Sequence, residues 1–470
     1  MLDFEGLSIM NKEQIPPRPD KNSLAGPPSN FLNDPLNYML KCRQEFGELV
    51  QLDMGFGSLY LVFGADEVAQ ASKDKALGRS ATAKLFEPLF GGSLIENDGA
   101  QWKQQRAYLS KSISSDRRKQ MNDNYVQFAS NAIATAKGSF DETGYADIQL
   151  AVYRYVSDSL ATAFFGHQLS YEDTSLIVES WSRSLDCMSE RLSSMLPLPM
   201  YVPTPNNTKL NNHAKKIDTI LNDLIESSLS SNNSQGCLKH VLDHVSDSEP
   251  DKMSKKQIFK ELRAAYLAAF DNTATSITWL MYNLANDPAL QNKIRDEIIK
   301  SEKNDSDPLS GSMPLLESAF NESIRLSPPL WIVDRTATED TMLGKYKIPK
   351  GATLIISPFI TQRDPQYWRD PLKFIPDRFV NENISSAHRY TFFPFGIGKF
   401  KCPGVSLSLM LAKIFAVKII KSNDIGIYAW NDNKFDRGLV YRTGELNITF
   451  NEIINNNVLK KSDVREEIYT

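Results

Sequence analysis

One cysteine constrains this chain more than any other residue. Cys402 lies in the run Phe393-Pro394-Phe395-Gly396-Ile397-Gly398-Lys399-Phe400-Lys401-Cys402-Pro403-Gly404, directly before Val405 to Ile420, an apolar stretch with helical periodicity. Glycines on both sides let backbone N–H groups approach the sulfur, and the start of a helix offers the positive end of its dipole. Both effects stabilise a thiolate, and together they suit a cysteine bound to iron. A free cysteine buried in a core is the commoner alternative for a lone thiol.

The rest of the chain is largely helical in pattern. Amphipathic segments recur at about 66–76, 99–112, 115–137, 146–165, 171–192, 208–229, 236–246, 254–286, 287–303 and 313–326. A hairpin is expected between Gly47 and Phe63, broken by Gly55 and Gly57. Strand character returns at Lys345 to Ile348 and Ala352 to Ser357, on either side of a turn at Pro349-Lys350-Gly351. Prolines between Pro16 and Pro28 predict an extended arm over 1–30, those from Pro197 to Pro205 an irregular apolar connection able to cover a pocket, and the polar stretch 451–470 a tail.

Composition excludes several function classes. A net charge of -4 with no Lys/Arg run argues against a nucleic-acid binder. Four irregularly spaced cysteines do not make a disulfide framework, so a reducing cytoplasm is expected. Met1 to Gln14 has neither a signal-peptide core nor the apolar length of a membrane span, and a soluble protein is expected. Cys237, His240 and His244 align on one helical face, but without a fourth ligand they make a weak zinc site.

Further patterns accompany the cysteine. Glu322 and Arg325 stand three apart on one helical face; Trp102 and Arg106 stand four apart on another. Taken singly these are a surface ion pair and a stacked aromatic. Thr273, Thr275, Ser276 and Thr278 put hydroxylic residues inside a long helical segment, where propensity disfavours them. Such a conflict often marks function.

With Phe395, Gly398, Cys402 and Gly404 in frame, the cysteine run resembles the haem-binding loop of the cytochrome P450 superfamily. Glu322-Ser323-Ile324-Arg325 resembles its ExxR motif, Pro376-Asp377-Arg378-Phe379 its downstream Pro-x-Arg-Phe, and Trp102 to Arg106 its WxxxR. Ala268-Ala269-Phe270-Asp271-Asn272-Thr273 resembles its Ala-Gly-x-acid-Thr-Thr.

The resemblance implies a mainly α cytochrome P450 fold of about a dozen helices with a small β region. It implies one haem domain over 31–450, with haem b (iron protoporphyrin IX) between helix I and helix L and Cys402 as axial ligand. Trp102, Arg106, Arg335, Phe395, Gly396, Gly398, Gly404 and Ala269 would bind the cofactor; Glu322, Arg325 and Arg378 would form a buried structural triad. Asp271 would bring protons through a water chain, and Asn272 or Thr273 would orient the water beside bound oxygen.

Leu85, Phe86, Phe90, Leu94, Ala268, Phe270, Leu330, Ile332 and Val333 would contact a lipophilic small molecule. Two departures stand out: Phe400 replaces the usual basic residue before the cysteine, and Asn272 replaces the usual threonine. An amide can hold a water but does not relay a proton as a hydroxyl does.

The expected activity is O2-dependent hydroxylation, epoxidation or oxidative coupling by a soluble, bacterial-type, cytoplasmic, monomeric enzyme of secondary metabolism. No flavin or iron-sulfur segment is present, so electrons are expected from a separate ferredoxin or flavodoxin with its reductase. Lys399, Lys401, Lys103 and Lys413 are candidates for the docking patch. The alternatives are a partner-independent isomerase, dehydratase or peroxygenase, and a haem sensor without turnover.

Overall fold

The computed structural model describes residues 15–19, 29–53, 58–194, 198–230, 238, 253–304, 312–380, 388–431, 439–451 and 453. Most of the expected arm and tail, and the three residues of the zinc alternative, fall outside these ranges. Among the described residues, the helices of nine residues or more are α1 (Pro35–Phe46), α2 (Ala65–Lys73), α3 (Gly99–Ser112), α4 (Asn122–Thr143), α5 (Ile148–Phe165), α6 (Tyr171–Ser193), α7 (Pro205–Ser230), α8 (Lys255–Ala285), α9 (Pro288–Asn304), α10 (Pro314–Leu326) and α11 (Val405–Ser422). The strands are β1 (Leu49–Asp53), β2 (Ser58–Val62), β3 (Leu77–Arg79), β4 (Ala146–Asp147), β5 (Val333–Ala337), β6 (Thr341–Leu343), β7 (Tyr346–Ile348), β8 (Thr353–Ile356), β9 (Asp424–Asn431) and β10 (Glu445–Asn451). The fold is mainly helical with small sheets.

Where one domain is expected over 31–450, packing separates two compact units, each assembled from distant pieces of chain. The first holds residues 1–84, 331–371 and 384–401. Its five-stranded sheet runs in the order β1-β2-β8-β5-β3. β1 and β2 pair antiparallel, as their alternation predicts, and β2 then pairs parallel with β8. A core of Leu49, Val62, Val68, Leu77, Leu354 and Ile356 forms between this sheet and α2.

The strand pattern around Pro349-Lys350-Gly351 resolves differently from a simple hairpin. β7 pairs with β6, while β8 joins the five-stranded sheet. The reason is hydrophobic: Leu354 and Ile356 are fully buried and need the larger core, whereas β7 buries only Ile348 completely.

The second unit holds residues 85–330, 372–383 and 402–470. α8 is its central helix; every residue from 264 to 285 is buried except Ala268, Ala269 and Asn272. A helix apolar nearly all round belongs in a core. Ser254 caps it by accepting from the Gln257 amide. The expected helix 115–137 is split at Met121, which ends one helical segment and begins α4. A three-stranded sheet, β4-β10-β9, closes this unit and brings Arg442 to its interior.

Candidate active site

Cys402 is exposed, and its Sγ accepts from the Gly404 amide at 3.3 Å. α11 starts at Val405, so the sulfur lies beside free amides of a helix N-terminus. A Cβ on Gly404 would lie 3.6 Å from that sulfur. Arg106 belongs to the same unit: burial lowers its guanidinium pKa, and the charge of Cys402 opposes that shift. Trp102, one turn before it on α3, is 9% exposed.

Among the described residues no three His, Cys, Asp or Glu side chains gather as a metal site. A single accessible sulfur, amide-stabilised and facing a nearby guanidinium, is the donor set of a one-thiolate axial site, and it fits a haem iron.

In the first unit, Gly396 and Gly398 take positive φ, 78° and 62°. At Gly398 a Cβ would meet the Ser72 carbonyl oxygen at 2.3 Å, so packing on the end of α2 demands glycine there. Phe395 is partly buried. Phe400, the expected loss of a cation, instead offers a ring to three: Arg79 at 4.0 Å, Lys399 at 4.7 Å and Arg335 at 4.8 Å.

Arg79 and Arg335 are direct cross-strand partners, and Arg335 is 5% exposed. Two guanidiniums placed opposite each other repel, and an anion between them offsets that cost. Arg79 escapes a motif search because only the β3–β5 register pairs it with Arg335.

Glu322, Arg325 and Arg378 come together in the second unit. Glu322 accepts from Arg325 Nε at 2.7 Å and from its terminal nitrogen at 2.9 Å, from Arg378 Nε at 3.1 Å, and from the Ile375 amide at 2.9 Å. Glu322 and Arg325 are both 0% exposed. The bonds from Arg378 and the Ile375 amide, with Arg325 donating to the Lys373 carbonyl at 3.2 Å, staple α10 to the segment 373–378.

On α8 the expected roles diverge. Asp271 is 1% exposed and saturated: Oδ1 accepts from Tyr153 Oη at 2.5 Å and Arg442 Nε at 3.1 Å, and Oδ2 from Trp181 Nε1 at 3.0 Å and Arg442 at 2.7 Å. Burial would push this carboxyl up, but the Arg442 guanidinium and the other donors more than offset it and hold it below the usual range. A carboxylate so engaged is a fixed anion, which departs from the expected carrier of protons along a water chain. Tyr153, Trp181 and Arg442 were not legible as partners; Arg442 lies 171 residues away in sequence.

Asn272 donates Nδ2 to the Ala268 carbonyl at 2.8 Å, while its Oδ1 is enclosed with no hydrogen-bond partner among the described residues. Such an acceptor costs about 1–3 kcal/mol unless a ligand or water donates to it. Thr273 is 6% exposed and turned into the core.

The substrate set divides as well. Leu85 and Phe86 are partly buried, Phe90 and Leu94 buried, and Phe90 lies 6.1 Å from Phe86 and 6.0 Å from Trp181. Trp181 thus joins this wall. Ala268 and Ala269 lie on the open strip of α8.

Phe270 is fully buried, stacks on Tyr266 at 5.8 Å and packs on Tyr153 at 5.3 Å. Leu330 is 45% exposed at the unit's edge, and Ile332 and Val333 are half-buried in the other unit. Lys413 is corrected, since it pairs with Glu317 at 2.7 Å and is largely buried; Lys103, Lys399 and Lys401 are exposed.

The family model for cytochrome P450 matches residues 16–429. Cytochrome P450 716A67 of Medicago truncatula is 28% identical over 367 residues, covering 72% of this chain and 68% of the relative. Cytochrome P450 3A16 of Mus musculus is 24% identical over 438 residues, covering 86% and 85%. Geranylhydroquinone 3''-hydroxylase of Arnebia euchroma is 24% identical over 340 residues, covering 69% and 68%. These relatives are plant and animal proteins and lend no support to the expected bacterial type. Among the described residues no helix is long and apolar enough to cross a membrane.

Proposed function

The chain belongs to the cytochrome P450 family and is a haem-dependent monooxygenase, and from that premise we propose that it holds haem b through Cys402 and oxidises a lipophilic small molecule with electrons from a separate partner. The observation that carries the assignment of the ligand is the Cys402 sulfur itself, exposed beside the Gly404 amide at the head of α11. Bound there, a thiolate-ligated haem supplies O2 activation and the oxidising equivalents. Trp102 and Arg106, in the same unit as Cys402, would donate to its propionates. Ala268 and Ala269 give the small, flat strip of α8 that a macrocycle can approach.

The protein's own contribution is position and dryness. Phe86, Phe90, Leu94 and Trp181 form an apolar wall that excludes water and favours an uncharged ligand. The geranylhydroquinone of one relative, an isoprenoid chain on a phenolic ring, is a ligand of this kind. Exposed Lys399 and Lys401 favour an acidic partner of ferredoxin or flavodoxin type. A second reading, turnover with peroxide and no reductase, is favoured by the engagement of Asp271 and by an amide at Asn272, neither of which relays protons readily.

The deciding experiment is the reduced carbon monoxide difference spectrum of haem-reconstituted protein. Wild type should give the Soret band of a thiolate-ligated haem and Cys402→Ala should lose it; an unchanged band in the variant refutes the ligand. Turnover with reductase and ferredoxin, set against turnover with peroxide alone, separates the two readings.

A further inference from the structure

From the contacts made by α8 we propose that Glu261 is a positioning residue for the substrate: together with Arg263 it clamps the segment 89–96 onto the helix and so fixes Phe90 and Leu94 of the apolar wall. The inference rests on that wall and identifies what holds it in place.

Three observations carry it, all within the second unit. First, the segment is built to turn. It leaves the short helix Glu87–Phe90 through Gly91 and Gly92, both at positive φ, 65° and 80°, a pivot that other residues enter only under strain. Beyond the pivot, Glu96 accepts from the Gly92 and Ser93 amides at 2.7 and 2.8 Å, which shapes the turn without tying it to a helix.

Second, the ties to α8 come from two charged side chains. Arg263 donates to the Leu89 carbonyl at 2.8 Å and pairs with Asp218 of α7. Glu261 accepts from the Leu94 amide at 3.1 Å and from Gln105 Nε2 at 2.6 Å, and Gln105 in turn donates to the Gly92 carbonyl at 3.3 Å. One carboxyl thus holds Leu94 directly and Gly92 through Gln105.

Third, the clamp is dry. Glu261 is 3% exposed, Gln105 0% and Leu94 7%. A buried carboxyl is costly unless its hydrogen bonds are made, so the bonded arrangement is preferred over a displaced segment. Because the Leu94 bond runs to that residue's own amide, it fixes the backbone from which the wall side chain projects.

The test asks whether Glu261 acts on ligands through Leu94. Haem-reconstituted protein is titrated with imidazole, which needs only the iron, and with 1-phenylimidazole, which adds an apolar ring; binding is read from the Soret shift. Wild type should favour the phenyl compound by about tenfold or more. Glu261→Ala and Leu94→Ala should each cut that advantage about three- to tenfold with imidazole affinity unchanged, and the double variant should lose no more than either alone. Glu261→Met serves if the alanine variant folds poorly. Glu261→Gln, whose amide oxygen still accepts from the Leu94 amide, should keep most of the advantage. Amide exchange should quicken about tenfold over residues 91–98 in Glu261→Ala, and not across α4.

An advantage unchanged in Glu261→Ala, additive losses in the double variant, or a loss in Glu261→Gln as large as in Glu261→Ala overturns the inference. So does exchange that quickens alike in both regions, which marks a general loss of stability. Wild type that binds the two imidazoles alike overturns the wall, and the inference with it. Absence of the thiolate-type Soret band in wild type indicts instead the haem-thiolate reading, and the exchange comparison still decides the clamp.

Discussion

Asp271→Asn is the substitution that best separates a fixed anion from a proton carrier. In wild type two carboxylate oxygens receive four donors, two of them from Arg442, whose side chain is only 11% exposed. In the asparagine variant one oxygen becomes an NH2 group. It faces Tyr153 and Arg442 Nε, or Trp181 and the Arg442 terminal nitrogen; either way donor meets donor, and the guanidinium loses its counter-charge.

Removing one partner of a buried ion pair costs about 3–5 kcal/mol. Urea unfolding of the holoprotein at neutral pH, followed by intrinsic fluorescence, should show a loss of that order. Replacing both partners, as Asp271→Asn with Arg442→Met, should recover much of it, since no charge is then left buried.

The pH dependence follows from the sign of the shift. The folded carboxyl is held below its ordinary range, so its contribution is present above that range and disappears as pH falls through the folded value. The gap between wild type and Asp271→Asn should therefore narrow toward strongly acid pH. A variant within about 1 kcal/mol of wild type at neutral pH, or a gap that stays constant on acidification, refutes the anchoring role. A carrier of protons, by contrast, predicts normal stability with slowed turnover.

Glu322→Gln should cost about 3–5 kcal/mol in the same assay, because Arg325 is left charged at 0% exposure; a midpoint equal to wild type refutes a buried triad. Glu261 is 3% exposed and accepts from Gln105 at 2.6 Å and from the Leu94 amide at 3.1 Å. Burial, with help from Glu96, raises its pKa to about 7. A raised carboxyl favours the fold below its ordinary range and loses that contribution as pH rises to about 7, so amide exchange over residues 91–98, corrected for its intrinsic rate, should quicken between the ordinary carboxyl range and neutrality, level off above it, and become pH-independent in Glu261→Gln. Gly398→Ala should lower the melting temperature more than Gly396→Ala, since both take positive φ but only the first would clash with backbone, at 2.3 Å from the Ser72 oxygen against an ordinary 3.9 Å from the Phe400 oxygen; equal losses would show that packing on Ser72 is immaterial.

What could be read without the fold was local. Glu322 with Arg325, Trp102 with Arg106, and Cys402 with Gly404 lie within four residues of each other, so helix periodicity or turn geometry brings each pair together whatever the rest of the chain does. The helix α3 was legible for the same reason, since it buries Trp102, Gln105 and Leu109, a stripe that recurs every third or fourth residue. Asn272 stood out as a departure, but not which of its two polar atoms would be left unpaired.

Tertiary structure decided the rest. Asp271 reads as a proton carrier until β9 and β10 bring Arg442 beside it across 171 positions, and the rotation of α8 sets Phe270 on Tyr153 and Tyr266. Arg79 acquires its place only through strand register with Arg335. A chain encodes near neighbours through periods and turns, whereas the partner of a buried charge is selected by the packing of whole elements, and no spacing along the sequence carries that information.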